Sequence, residues 1–161
     1  MKYGFANEKH QEFPPMVMVS ILNVCNLTCG HCYWPKLAKL PDYKGHMLSW
    51  DHWEKIINEI SQHPGTVLNL TTDGEPMMHN NFIEMMRYAK LKDIYPINMT
   101  TNGTLLSGKK IHTIVEEGLI DTINVSLDAM TPDTFQKIRG GRKDTFLEIH
   151  DNVINLISLI K

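Results

Sequence analysis

The chain has 161 residues, 42% hydrophobic and 21% charged, with a formal net charge of −2. This is enough for one ordinary globular domain, without the electrostatic footprint of a nucleic-acid binder and without an apolar run of membrane-spanning length. The stretch Met1 to His10 lacks the apolar core of a signal peptide, which together with free thiols points to a reducing cytoplasm. Lys137, Arg139, Arg142 and Lys143 form a local basic cluster that reads as a solvated helix end.

The apolar run Val17 to Val24 predicts a buried strand. It leads directly into Cys25-Asn26-Leu27-Thr28-Cys29-Gly30-His31-Cys32, which holds all the cysteines of the chain. A long loop to Met47 follows, with Pro35, Pro41 and Gly45. Trp50, Trp53, Ile56, Ile57 and Ile60 recur at helical spacing behind Ser49, a good N-cap, and His63-Pro64-Gly65 ends that helix. Residues 66–71 predict a second strand. Phe82, Met85, Met86 and Ala89 mark a helix begun by Asn80 or Asn81. Residues 96–101 predict a third strand, and Ile111, Ile114 and Val115 a helix closed by Gly118. Residues 122–127 predict a fourth strand. A short helix is capped by Thr131 with Pro132 at its first position. A last helix from about Asp144 carries Phe146, Ile149, Val153, Leu156, Ile157 and Ile160 on one face.

Strands alternating with helices imply a parallel sheet with right-handed crossovers, hence an α/β fold. The later strands start about 26–30 residues apart, close to the ~31 residues per unit of a (β/α)-barrel. Such barrels place their chemistry at strand C-terminal ends, where the cysteine loop falls.

The C-x3-C-x2-C spacing at a strand end can direct three sulfurs to one place. Three thiolates on a 4Fe–4S cluster would leave the fourth iron open to a non-protein ligand. Other readings stay open on the residues alone. Zinc could take Cys25, Cys29 and Cys32 with His31 or His46 as fourth ligand. The odd count argues against a disulfide framework, and chance clustering explains least. His79, His112, His150 and the ten methionines read as surface or core.

The cysteine loop resembles that of the radical S-adenosylmethionine (radical SAM) family. The resemblance implies that Cys25, Cys29 and Cys32 ligate three irons and that SAM chelates the fourth. The family often has an aromatic just before the last cysteine. Here His31 stands there, flat enough to face a purine, with Tyr33 and Trp34 following, and the resemblance implies cofactor contacts from His31 and Tyr33. Thr72-Asp73-Gly74-Glu75-Pro76 is similar to the family's Gly-Gly-Glu-Pro segment, which implies that Gly74 and Glu75 receive the amino group of SAM. An ammonium needs carbonyl and carboxylate acceptors, and glycine lets backbone approach closely. Asp73 departs from the Gly-Gly form. Asn102 belongs to a segment similar to the family's Thr-Asn-Gly. Val125-Ser126-Leu127-Asp128-Ala129 and the helix after it resemble members with accessory cluster domains of the SPASM type. That likeness implies cofactor binding by Ser126 at the ribose, by Asp128 in the same segment, and by Arg139 at the SAM carboxylate, where a bidentate pair is well suited.

The resemblance covers about residues 17–160 and implies a partial (β/α)6 TIM-like barrel with about its first four βα units present. Residues 1–161 are then expected to be the N-terminal portion of a radical SAM core, without later strands or an accessory cluster domain. The implied cofactors are a 4Fe–4S cluster and SAM. The implied activity is reductive cleavage of SAM to a 5′-deoxyadenosyl radical that abstracts hydrogen from an unknown substrate, a small molecule or peptide in preference to nucleic acid. An electron donor such as flavodoxin or ferredoxin, and no membrane, complete the expected partners. The competing expectation is a non-catalytic zinc- or cluster-stabilised binding module or assembly partner.

Overall fold

The computed structural model describes residues 12–71 and 73–160. Thr72 of the second strand-end motif, and the Met1 to His10 stretch read for an export signal, lie outside the described residues. Strands β1 (Met16–Met18), β2 (Val67–Leu70), β3 (Ile97–Thr101) and β4 (Thr122–Val125) form one parallel sheet in the order β1-β2-β3-β4. Helices α1 (Trp34–Leu37), α2 (Trp50–Ser61), α3 (Phe82–Leu91), α4 (Gly108–Glu116), α5 (Pro132–Arg139) and α6 (Lys143–Ile160) fill the connections. The fold is α/β, as the alternating pattern predicts.

The caps explain several boundaries. Ser49 accepts from His52 N at the start of α2, and Thr131 from Thr134 N at the start of α5, with Pro132 pre-set in the first turn. Gly118, just past α4, has φ 58°, the left-handed conformation that ends a helix at little cost for glycine.

Register decides which face is buried. Val17 pairs with Leu68, Leu68 with Ile97 and Met99 with Ile123. These side chains join Trp53 of α2, Phe82 of α3, Ile111 of α4 and Leu156 of α6 in one core. Trp53 is fully buried, and its indole N–H donates to Met85 O at 3.0 Å, so the largest core ring leaves no polar atom unpaired. The other face is polar. Asn69 pairs in register with Asn98, and Thr100 with Asn124. Thr71 just past β2 donates to Asn69 Oδ1 at 2.9 Å and lies 3.3 Å from the Thr100 hydroxyl. Parallel sheets usually cover both faces with apolar side chains; this one keeps one face for polar contacts.

Four expectations are corrected. The first strand stops at Met18 instead of Val24, with one further ladder bond from Val19 N to Asn69 O at 2.9 Å. Beyond it the chain leaves the sheet to pair antiparallel with the return of the long loop. Leu22 bridges Met47, and Leu48 N donates to Ile21 O at 2.8 Å. Ile21 and Leu22 are buried there, so their hydrophobicity is satisfied outside the ladder. The fourth strand ends at Val125, not Leu127, although Ser126 N still donates to Thr101 O at 2.9 Å. The long loop contains the short helix α1, with Pro35 in its first turn. The last helix buries Ile149 and Leu156 but leaves Ile157 and Ile160 47% and 67% exposed, so only half of its apolar face is used.

Candidate active site

Past the C-terminal ends of the strands lies a cavity of about 230 Å³. It is lined by Cys25, Cys29, Cys32, His31, Gly74, Glu75, Asn102, Ser126 and Arg139, which sequence reading singled out, together with Trp34, Asp73 and Thr101 among others. Two further singled-out residues, Tyr33 and Asp128, do not line it; each bonds to a residue that does.

The three cysteines are free, Cys29 buried and Cys25 and Cys32 partly so. Their loop is seated on α5 and α6. Leu27 and Cys29 share a small apolar cluster with Phe135 and Ile149. Gly30 N donates to Ile138 O at 2.8 Å. Gly140, at φ 70°, lies so close that a Cβ there would sit 2.3 Å from Thr28 Oγ1. Backbone N–H groups point at the sulfurs, from Leu27 to Cys25 at 3.5 Å and from Trp34 to Cys32 at 3.4 Å. Asn102 Nδ2 adds a 3.6 Å contact to Cys25 Sγ. Burial pushes the Cys25 and Cys29 thiols up, opposed at Cys25 chiefly by the Leu27 N–H and at Cys29 by the Arg139 charge. Where the chain leaves the loop, the Trp34 indole N–H and the Tyr43 hydroxyl both donate to Asn23 O, tying α1 to the chain ahead of Cys25.

Glu75 is 1% exposed. Its Oε1 accepts from the Thr101 hydroxyl at 2.7 Å and Met77 N at 3.2 Å, and its Oε2 accepts from Asn102 N at 2.7 Å. Burial raises its pKa, against these donors and the Arg139 charge, which favour the anion. Gly74 is wedged against the end of the first strand's run. A Cβ would come within 2.1 Å of Val24 O, and Glu75 N donates to that same carbonyl at 2.8 Å. The glycine therefore serves a close approach between two backbone segments, its own and that of Val24.

Asn102 does not point freely into the mouth of the sheet. Its Nδ2 donates to Asn26 Oδ1 at 2.7 Å, and its Oδ1 accepts from Thr104 N at 3.0 Å, which clamps the cysteine loop to the end of β3. Arg139 is buried with its Nη1 donating to Asp128 Oδ2 at 2.8 Å, while its Nε is buried without a hydrogen-bond partner. His31 is exposed, with Nε2 3.8 Å from the same Asp128 oxygen. Tyr33 bonds through its hydroxyl to Asp73, whose hydrogen bond and charge push the phenol up to about 12.

This donor set suits a cluster better than a zinc ion. His46 lies in a separate cleft with Ser49 and His52. Three cysteines that line one cavity, each able to take a different iron, fit a cluster. The buried, unpaired Arg139 Nε fits a ligand carboxylate, since an orphaned buried donor is costly.

The sequence model of the Radical SAM superfamily matches residues 19–161. The chain belongs to this superfamily. Its members are enzymes that bind a 4Fe–4S cluster and SAM. Among curated proteins it is 31% identical over 129 residues to a GTP 3′,8-cyclase of Xanthomonas campestris pv. campestris (strain B100), covering 77% of this chain and 37% of that protein. It is 33% identical over 144 residues to the GTP 3′,8-cyclase of Limosilactobacillus fermentum, covering 88% and 42%. The probable GTP 3′,8-cyclase of Methanococcus maripaludis is 33% identical over 123 residues, covering 76% and 39%. The chain thus spans about two fifths of the length of these relatives. Among solved structures it matches methylornithine synthase with TM-score 0.60 and 14% identity, covering 88% of this chain and 41% of that one. It matches BtrN in complex with AdoMet and 2-DOIA with TM-score 0.57 and 20% identity, covering 69% and 44%. These likenesses show the fold: four βα units of a partial TIM-like barrel.

Sequence reading missed the residues that hold the site together. Thr101, Asn26 and Thr28 are small polar residues whose partners lie far along the chain. Trp34 and Tyr43 carried a readable signal, aromatic rings with polar tips close to a cysteine loop.

Proposed function

We propose that Cys25, Cys29 and Cys32 hold a 4Fe–4S cluster and that SAM occupies the cavity beside it. The amino group of SAM would lie at Gly74 and Glu75, its carboxylate at Arg139, its ribose at Ser126, and its purine near His31. Residues 1–161 are read as part of a radical SAM core domain. The observation that carries this reading is the convergence of three free thiols, a buried carboxylate and a buried guanidinium with an unpaired Nε on one cavity.

The chemistry these groups supply when bound is one-electron reduction of the SAM sulfonium, giving methionine and a 5′-deoxyadenosyl radical that abstracts hydrogen from a substrate. The chain's own residues bind and orient. Glu75 keeps a fixed carboxylate, because three donors hold it, and its remaining lone pairs can accept from an ammonium. Arg139 offers a planar fork for a carboxylate. Leu27 and Trp34 supply apolar cavity wall that limits water. The polar sheet face of Asn69, Asn98, Thr100 and Asn124 provides hydrogen-bonding groups for a substrate. Because the curated relatives are named for GTP, GTP is the first substrate to offer. A flavodoxin- or ferredoxin-type donor in the cytoplasm would supply electrons.

Anaerobic reconstitution followed by reduction with dithionite in the presence of SAM tests the reading. Formation of 5′-deoxyadenosine and methionine, lost in Cys32→Ser, is the expected result. A fully loaded cluster that never cleaves SAM, with or without GTP, would refute the catalytic part.

A further inference from the structure

We infer that Asp128 is a positioning residue: it holds the Arg139 guanidinium so that its free edge meets the SAM carboxylate, and does not itself contact the cofactor. This rests on the reading of the cavity given above and deepens it. Arg139 is the last residue of α5, and its side chain is 7% exposed. The backbone around it is already fixed, because Ile138 O takes the Gly30 N–H and Gly140 abuts Thr28. What remains undetermined is the rotation of the side chain. Asp128 Oδ2 takes Nη1 at 2.8 Å and leaves the Nε unpaired. A guanidinium binds carboxylates through its Nη1/Nη2 edge or its Nε/Nη2 edge, so a partner at Nη1 reserves the second edge for the ligand. Asp128 is itself half-exposed and absent from the cavity lining, so it meets the arginine from outside the residues that line the cavity. Its backbone has φ 56°, a conformation that Asp, Asn and Gly tolerate best.

Electrostatics alone predicts the opposite sign. An anion beside Arg139 offsets part of the charge that a second carboxylate would feel, so as a mere counter-charge Asp128 would weaken SAM binding. Two substitutions that suit a positive φ separate the cases. Asp128→Gly removes the acceptor, whereas Asp128→Asn keeps an acceptor oxygen and removes the charge.

The experiment is equilibrium dialysis of the cluster-reconstituted protein with SAM and with decarboxylated SAM, which keeps the sulfonium and adenosine. Loss of a hydrogen bond that orients a charged group should weaken SAM binding roughly tenfold in Asp128→Gly, leave decarboxylated SAM within about twofold, and be largely restored in Asp128→Asn. Tighter SAM binding in either variant, or equal loss for both ligands, overturns the inference. Arg139→Ala is the reference. If it weakens SAM and decarboxylated SAM alike, the carboxylate assignment fails and takes this inference with it. If it discriminates while Asp128→Gly does not, the inference alone fails.

Discussion

The two charged walls of the cavity are built on opposite plans. Glu75 is firmly held: 1% exposed, with three donors on its two oxygens, and backed by a glycine jammed against Val24. Arg139 is equally buried but underpaired, with one nitrogen on Asp128 and its Nε on nothing. A group already held by several donors contributes to the fold whether or not a ligand is present, whereas an underpaired one gains most when a ligand arrives. On the proposed reading, the carboxylate wall therefore belongs to the scaffold as much as to the site, and the guanidinium wall mainly to binding.

The largest expected effect lies between the walls. Cys29→Ala removes the buried thiol and should abolish cluster loading, measured as iron and sulfide per chain, while the melting temperature of the cofactor-free protein changes little; retained iron would break the assignment. Gly74→Ala comes next. Its Cβ would meet backbone atoms of Val24, which cannot swing aside, so the cost should be about 3 kcal/mol in urea unfolding. Gly118→Ala, at φ 58° but with open space around it, should cost only about 1–2 kcal/mol. Equal losses at the two glycines would mean that the Val24 contact is loose.

Glu75→Ala against Arg139→Ala tests the contrast itself. The first leaves buried donors without an acceptor and should lower stability by about 3 kcal/mol. The second should lower it by about 1 kcal/mol yet remove most SAM affinity. A reversed order would show that the guanidinium is the structural member.

The smallest effect is a pH dependence. Burial holds Glu75 above its ordinary value of 4.5, so the folded protein retains a proton that the unfolded chain has released. Stability linked to this group is full below that value and falls as pH rises through the folded pKa. Unfolding free energies of wild type minus Glu75→Gln should therefore decline as pH rises above the ordinary carboxylate value of 4.5. An increase would mean that the three donors outweigh burial.

Much of the scaffold was readable because its signals are local. Ser49, Thr131, Pro132 and Gly118 mark helix ends by short-range chemistry, and Trp53, Phe82 and Ile111 mark buried faces by periodicity. The cysteine spacing and the Gly74-Glu75 pair were readable for the same reason. What stayed hidden depends on contacts far apart in the chain. Ile21 and Leu22 look like strand residues, and only the returning segment at Met47 shows why the ladder stops at Met18. The Gly30–Ile138 bond, the Gly140–Thr28 contact and the Asn26–Asn102 clamp join the cysteine loop to distant turns, and no local pattern announces them. Asp128 was expected from the resemblance to bind the cofactor, and its pairing with Arg139 was not read, because its left-handed backbone carries no signature in a non-glycine residue.

Electron paramagnetic resonance of the anaerobically reconstituted, dithionite-reduced protein, recorded with and without SAM, tests the central claim most directly. The account predicts about four irons per chain in a single 4Fe–4S cluster, whose signal changes when SAM is added to the wild type and changes far less in Arg139→Ala. A signal indifferent to SAM in the wild type, or zinc held in place of iron after reconstitution, would contradict it.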